Sequence, residues 1–316
     1  MTTGHALPAQ AASTVLMVRP QNFAANPQTA SSNAFQARPD DGRAGTAIAA
    51  CAEFDAAVGC LKGAGIEVLV LEDSTSPRKP DAVFPNNWVS FHADGTMVLY
   101  PLLAPNRRAE RRPGALAVLL RQHGFRIDRV VDLAPMEARG WYLEGTGSLV
   151  LDRAHGVAYA ALSSRTHPRA LAEFGRELGF DTVAFATVGP SRLPVYHTNV
   201  MLSIGSGFAV VCAEVIEPEA VRASVLGRLG ASGREIVLIS AMQARAFAGN
   251  VLELVAADGS HLLALPETAM EALLPAQLAA LEYHARLVPL RVPTIEQLGG
   301  GSVRCMLAEV FLPRHP

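Results

Sequence analysis

Three side chains far apart in the chain are the ones whose types could act together: Glu144, His197 and Cys305. A thiol beside an imidazole makes a nucleophile, because the thiolate attacks while a neighbouring imidazolium favours its formation. A carboxylate near the pair can orient the imidazole or hold a cationic substrate. Cys305 follows the run Gly299-Gly300-Gly301-Ser302-Val303-Arg304. Three successive glycines cost backbone entropy and contribute no packing, so the run suits a loop lying close over a ligand or moving to admit it. Ser302-Val303-Arg304 is expected to open a strand, with Cys305 carried on its first residues. Taken singly, a cysteine is most often a small buried hydrophobe and a histidine a satisfied structural residue.

Their spacing changes that reading. Each heads the same pattern of a polar residue, an apolar β-run, a Gly-containing turn and a second apolar run. Asn87 leads to the turn Ala93-Asp94-Gly95, Glu144 to Ala154-His155-Gly156, His197 to Gly205-Ser206-Gly207 and Asn250 to Ala257-Asp258-Gly259. Such turns between β-runs signal hairpins. Cys305 opens a fifth unit, and the five leading residues fall about 55 residues apart. Between the hairpins the sequence predicts helices at 46–62, 104–123, 166–178, 217–229 and 267–281. Strands are expected at 66–71, 125–131, 181–187, 235–240 and 285–289, mostly after a Gly that caps the helix.

The expected unit is hairpin, helix, strand, repeated five times as a pseudo-symmetric α/β propeller. A strand at 15–20 would close the ring against the last unit. Residues 21–45 read as a surface loop or a lid near the site. A disordered tail is expected over 1–13 and one catalytic domain over 14–316. In such a ring the head residues converge on one channel.

Composition narrows the classes. The chain has 316 residues, half of them hydrophobic, a mean hydropathy of +0.22, a net charge of −2 and a pI near 6.5. That balance offers no footprint for nucleic acid or a membrane surface. No stretch approaches a membrane span, and residues 1–13 lack the form of a signal peptide. The four cysteines show no metal-binding spacing with histidine, so neither metal nor cofactor is expected. They read as reduced thiols of a cytoplasmic protein. Cys51, Cys60 and Cys212 fall in apolar runs and are expected in the core. His92, His123, His155 and His167 lie by turns or helix ends and are expected to be solvated. Asn250 reads as a cap of its strand.

With these motifs in order, the chain resembles the pentein guanidine-modifying enzymes: arginine deiminases, dimethylarginine dimethylaminohydrolases and amidinotransferases. Asp81-Ala82-Val83-Phe84-Pro85-Asn86-Asn87 is similar to the segment that holds the guanidino group, which implies substrate-binding roles for Asp81, Phe84 and Asn87. Arg107-Arg108-Ala109-Glu110 resembles an R-R-G-E segment, and Leu143-Glu144-Gly145-Thr146-Gly147 resembles E-G-G-D. Leu162-Ser163-Ser164-Arg165-Thr166 resembles L-S-x-R-T, whose arginine clamps the substrate carboxylate, a role that Arg107 or Arg108 would share. His197-Thr198-Asn199 stands at the H-x-D or H-x-K place, and Cys305 at the terminal nucleophile. The wording from Pro80 to Trp88 resembles the citrulline utilisation hydrolase branch.

Two departures bear on the substrate. Arginine deiminases grip the guanidinium with two aspartates, where this chain has Asn87 and Asn199. Two carboxylates offer a cation several kcal/mol at an effective dielectric of about 20. Asparagine gives that up but supplies a donor and an acceptor, the pairing a neutral ureido group needs. The resemblance therefore implies a metal-free, cysteine-dependent hydrolase of citrulline, releasing ornithine, ammonia and carbon dioxide. Arginine or dimethylarginine hydrolysis is the alternative, and a non-catalytic pentein binding protein a further one. A homodimer is left open as its assembly.

Overall fold

The structure is a computed structural model that describes residues 9–37, 45–189 and 192–315. Among these residues, short apolar runs separated by tight turns form five small sheets in a mixed α/β fold. In the first, β1 (Thr14–Arg19) pairs antiparallel with β16 (Ala308–Glu309) and parallel with β2 (Glu67–Glu72). In the second, β3 (Val89–Phe91) and β4 (Thr96–Leu99) form a hairpin, and β5 (Arg129–Asp132) joins β4 in parallel. The third has the hairpin β6 (Val150–Asp152) and β7 (Val157–Ala161), then β8 (Asp181–Thr187), then β11 (Ile216–Glu217) at its edge.

The fourth repeats the arrangement with β9 (Leu202–Ile204), β10 (Phe208–Val211) and β12 (Glu235–Leu238). The fifth does so with β13 (Leu252–Val255), β14 (His261–Pro266) and β15 (Arg286–Leu290). Each sheet is thus an antiparallel pair extended by one parallel strand. In the second to fifth sheets that strand is reached through at least one helix, as a parallel connection requires. The hairpin strands read as continuous apolar runs, such as Thr96–Leu99 and Phe208–Val211, because they are covered on both faces. β16 touches β3, β6 touches β9 and β9 touches β13, so neighbouring sheets pack in chain order.

The expected strand at 15–20 is β1, which pairs with β16 as anticipated. Other expectations need correction. The helix foreseen over 104–123 is two pieces, a 3-10 segment at Pro105–Glu110 and an α-helix at Pro113–Gln122. Pro113 forces the preceding residue out of helical geometry, so a new helix starts there. In the same way Leu273 and Leu274 are extended ahead of Pro275, dividing 267–281 into Glu267–Ala272 and Pro275–His284. Cys305 does not open a strand. It sits in a helical turn, Val303–Met306, two residues before β16.

Gly299 ends the helix Pro293–Gly299, and Gly300, at φ 63°, is its left-handed cap. Of the expected tail, residues 1–8 lie outside the described residues. The rest is anchored: Gln10 donates to the carbonyls of Leu151 and Ile204, and Ala12 bridges to Leu254. Cys60 is exposed and Cys51 half-buried, whereas Cys212 is in the core. Cys60 falls on the outer face of the helix Thr46–Gly63, whose buried positions are Ala50, Phe54, Ala57 and Leu61. His92 is buried, not solvated. No helix among the described residues is long and apolar enough to cross a membrane.

One buried ion pair ties the third sheet to the fourth. Arg234, at the start of β12, donates bidentately to Asp152 of β6 at 2.7 and 2.9 Å, and both side chains are fully enclosed. Removing one partner leaves an uncompensated buried charge. Asp152→Ala is therefore expected to lower the unfolding free energy by about 3–5 kcal/mol in a urea titration. A loss below about 1 kcal/mol, the worth of a surface pair, would contradict this account of the junction.

Candidate active site

Four of the five head residues lie on or beside a single helical turn that precedes the hairpin. Asn87 closes the 3-10 turn Pro85–Asn87, and Glu144 caps the turn Gly145–Ser148. His197 caps Thr198–Val200, which carries Asn199, and Cys305 lies within Val303–Met306. These turns meet because glycine lets them. Gly145 has φ +47°, and a Cβ there would lie 2.1 Å from the Asn86 carbonyl oxygen. A Cβ on Gly147 would lie 2.5 Å from Asn87 Nδ2 and 2.9 Å from His197 Nδ1. No larger residue fits without moving the site.

The turns meet around a narrow cavity lined by Asp81, Phe84, Asn87, Arg107, Arg165, His197 and Cys305 together with the three glycines. His197 Nε2 donates to Glu144 Oε2 at 2.8 Å. That bond fixes Nε2 as the protonated nitrogen and leaves Nδ1 as the basic one. Burial pushes His197 down to about 4, against the opposing pull of Glu144. Burial would raise Glu144, but Arg165, the His197 hydrogen bond and Arg107 outweigh it and hold the carboxyl well below its ordinary range. Cys305 is pushed up by burial, opposed by hydrogen bonds from Ser302, Asn250 and Asn199. Near neutral pH these shifts favour a neutral thiol and a neutral imidazole.

The sulfur of Cys305 lies 3.3 Å from Asn250 Nδ2 and 3.7 Å from Asn199 Nδ2. Two amide donors can therefore hold a thiolate without a formal positive charge. Asn250 also donates to the Asn199 carbonyl at 2.9 Å and accepts from Arg304 N at 3.1 Å, which fixes its own position. It is more than a strand cap. The signal for it in the sequence is its place in the repeat, shared with His197 and Cys305.

Arg107 is buried and gripped bidentately by Glu110 at 2.9 and 3.0 Å. Its Nη1 donates to Asn87 Oδ1 at 3.0 Å. Glu110 is raised by burial to about 7, Arg107 notwithstanding. Asp81 Oδ2 accepts from Asn26 Nδ2 at 2.7 Å, while Oδ1 is buried with no partner among the described residues. Arg165 bonds Glu144 at 3.3 Å and the Ser32 hydroxyl at 2.9 Å, and lies over the Tyr196 ring.

Arg108 is not brought to the cavity. It pairs with Glu137 at 3.0 Å, on the outer side of its turn. Glu144 and Asn199 stand just behind the lining, against His197 and Cys305.

Part of the expected lid is at the site. Thr29 and Asn33 line the cavity, and Asn33 Nδ2 donates to the carbonyls of Gly299 and Gly300 at 3.2 and 3.3 Å. Residues 38–44 of that stretch lie outside the described residues. Tyr196, whose hydroxyl donates to the Gly300 carbonyl, was not singled out by sequence, although it adjoins His197. No group of three or more acidic, histidine or cysteine side chains among the described residues could hold a metal ion.

The sequence profile of the family described as N,N dimethylarginine dimethylhydrolase, eukaryotic, matches residues 19–312, and the chain belongs to that family. That description is of a family of hydrolases. No curated protein sequence matches it. Among solved structures, the fold is similar to the N-terminal domain of ArgZ, a cyanobacterial arginine dihydrolase, bound to substrate. The identity is 15%, the TM-score 0.69, and the match covers 95% of this chain and 99% of that one.

It is similar at 15% identity and a TM-score of 0.71 to AgrE in complex with L-arginine, over 96% of this chain and 40% of that one. A dimethylarginine dimethylaminohydrolase adduct with S-methyl-L-thiocitrulline matches at 15% identity and a TM-score of 0.63, over 94% and 99%. The chain spans about two fifths of full-length ArgZ. These relatives share the pentein fold with it.

The buried Glu144–His197 pair gives a direct expectation. Because its folded pKa is depressed, the His197 imidazole should stay neutral as pH falls from 8 to about 5 and titrate with a midpoint of about 4. Glu144→Gln removes the group that raises it and should lower the midpoint further. An NMR titration showing His197 at its ordinary value near 6.5 or above would contradict the geometry described.

Proposed function

We propose that the protein hydrolyses the ureido C–N bond of citrulline, giving ornithine, ammonia and carbon dioxide through a covalent intermediate on Cys305. The observation that carries the choice of substrate is the anchored amide of Asn87. Arg107 occupies its oxygen and Asn86 Oδ1 takes one of its N–H groups at 2.9 Å. One N–H remains for the pocket. A ureido oxygen needs a donor there, whereas a guanidinium has none to accept it. Asn199, beside the sulfur, is equally neutral.

Cys305 passes its proton to His197, and the thiolate attacks the ureido carbon, sending the C=O electron pair onto oxygen. Collapse breaks the bond to the ornithine nitrogen, which takes the proton from His197. Water then gives a proton to His197 and adds to the S-carbamoyl group. The sulfur leaves, regains the proton, and carbamic acid splits to carbon dioxide and ammonia. Asn250 and Asn199 favour the thiolate as it forms.

Asp81 Oδ1 receives a substrate N–H group, Glu144 orients His197 from behind the lining, Phe84 covers the planar ureido face, and Arg165 takes the carboxylate. With Arg107 committed to Glu110 and Arg108 to Glu137, that clamp falls to Arg165. The repeated hairpin-plus-parallel-strand sheets support a closed five-bladed ring around this site. Four free cysteines suit a reducing, cytoplasmic compartment.

A second reading, hydrolysis of arginine, has its own observation. Among the described residues, the arginines paired with Asp81, Glu110 and Glu144 are Arg107 and Arg165, and Asp81 Oδ1 has no hydrogen-bond partner. An added cation would balance that charge. Substrate comparison separates the two readings. Wild-type kcat/KM should be higher for citrulline than for arginine, with ornithine as product.

Asn87→Asp should cost citrulline about 1–3 kcal/mol, the penalty of a lost donor facing the ureido oxygen. The same change should raise kcat/KM for arginine, whose cation gains a partner. A wild-type preference for arginine, with citrulline and ammonia accumulating and no ornithine, would exclude the citrulline assignment.

A further inference from the structure

A second cavity, open on one side to solvent, lies at the turn ends of the hairpins. That is the other end of β3 and β6 from Asn87 and Glu144. Leu178, Phe180 and Phe311 give it apolar walls, and His92 and Arg153 are its enclosed polar groups.

Arg153 is 8% exposed yet poorly satisfied. Its Nη1 makes one long bond, 3.4 Å, to the Phe91 carbonyl, and its guanidinium carbon lies 4.0 Å from the centre of the Phe311 ring. Among the described residues its Nη2 makes no hydrogen bond. Its one acidic neighbour at ion-pair distance among the described residues, Glu309, is 3.9 Å from Nε and is held by Arg304 Nη2 at 3.0 Å. One buried carboxylate thus serves two buried guanidiniums. Burial accordingly pulls Arg153 down from its ordinary value.

His92 adds no compensating anion. Its Nε2 is engaged by the Ser90 hydroxyl at 3.0 Å, and burial and Arg153 keep the ring neutral. Asp94, at the exposed rim, is turned to the backbone of Thr96. A buried cation short of both charge and acceptors, facing this cavity, lacks one bidentate anion.

We propose that this cavity is a second ligand site, which takes a small carboxylate with an apolar body. The carboxylate sits on the Arg153 guanidinium and the body lies against Phe180, Leu178 and Phe311. An arginine stacked on an aromatic ring presents its planar fork to a carboxylate, and the apolar walls favour a ring or alkyl chain over a bare ion.

Isothermal titration of the full chain with phenylacetate, acetate and inorganic phosphate tests the site. Phenylacetate should bind about tenfold or more tighter than acetate and tighter than phosphate. Arg153→Met should weaken phenylacetate by about tenfold or more, since it removes a charge-assisted bidentate contact. Ala93→Trp, at an exposed turn position on the rim, should do the same by filling the mouth without touching the guanidinium.

Circular dichroism establishes that each variant is folded, and should Arg153→Met fail to fold, Ala93→Trp decides alone. Absence of phenylacetate binding to the wild-type chain, or unchanged binding in either folded variant, overturns the proposal. A tighter hold on phosphate than on phenylacetate overturns the assignment to a carboxylate.

Discussion

Burying Glu144 as an anion is the constraint from which the rest of the site follows. A carboxylate taken out of water is sustained only by partners that replace its hydration. Here they are Arg165 at 3.3 Å, Arg107 at 3.6 Å and the Nε2–H of His197 at 2.8 Å, each supplied by a different part of the chain. Those partners bring their own requirements. Arg107 needs Glu110 and Asp81, and Arg165 needs Ser32 and the face of Tyr196. The network thereby reaches into the loop at 26–36, so holding the imidazole in one tautomer and covering the cavity are the same structural event.

The thiol side of the cavity is built on a different principle. Among the described residues no cationic side chain hydrogen-bonds the sulfur of Cys305, and its hydrogen-bonding neighbours there are two carboxamides and the backbone of Ser302. Amide dipoles favour a thiolate less than a guanidinium would, which keeps the resting group protonated. In the proposed mechanism that proton passes to His197 once substrate is bound. Neutral donors around the sulfur also avoid repelling a neutral, strongly hydrogen-bonding substrate, in keeping with Asn87 and Asn199 standing where carboxylates would select a cation.

Much of this was legible in the sequence because it depends on spacing. Head residues one repeat apart, each before a hairpin, converge once the units pack. That is why Glu144 reaches His197, and why His197 and Cys305 line one cavity. What spacing could not supply was the detail of each head. Cys305 rides a helical turn instead of a strand because the left-handed cap at Gly300 redirects the chain three residues before the Val303–Met306 turn. Asn250 looked like a cap because a neutral side chain carries no chemistry until a sulfur is beside it.

Arg107 and Arg108 are neighbours in sequence, and only the fold shows that one is enclosed by Glu110 while the other faces Glu137. The arginine network of Arg153, Arg304 and Glu309 left no mark at all, since its members are joined only through the packing of the first and third sheets.

The central claim is that Cys305 carries the reacting carbon. Acid-quenched turnover with citrulline labelled at the ureido carbon, followed by peptide mapping and mass spectrometry, tests it most directly. The account predicts a labelled carbamoyl group on the peptide containing Cys305, and its loss in Cys305→Ser together with nearly all turnover. Active enzyme that carries no label at Cys305, or a Cys305→Ser variant that still turns over citrulline, would contradict it.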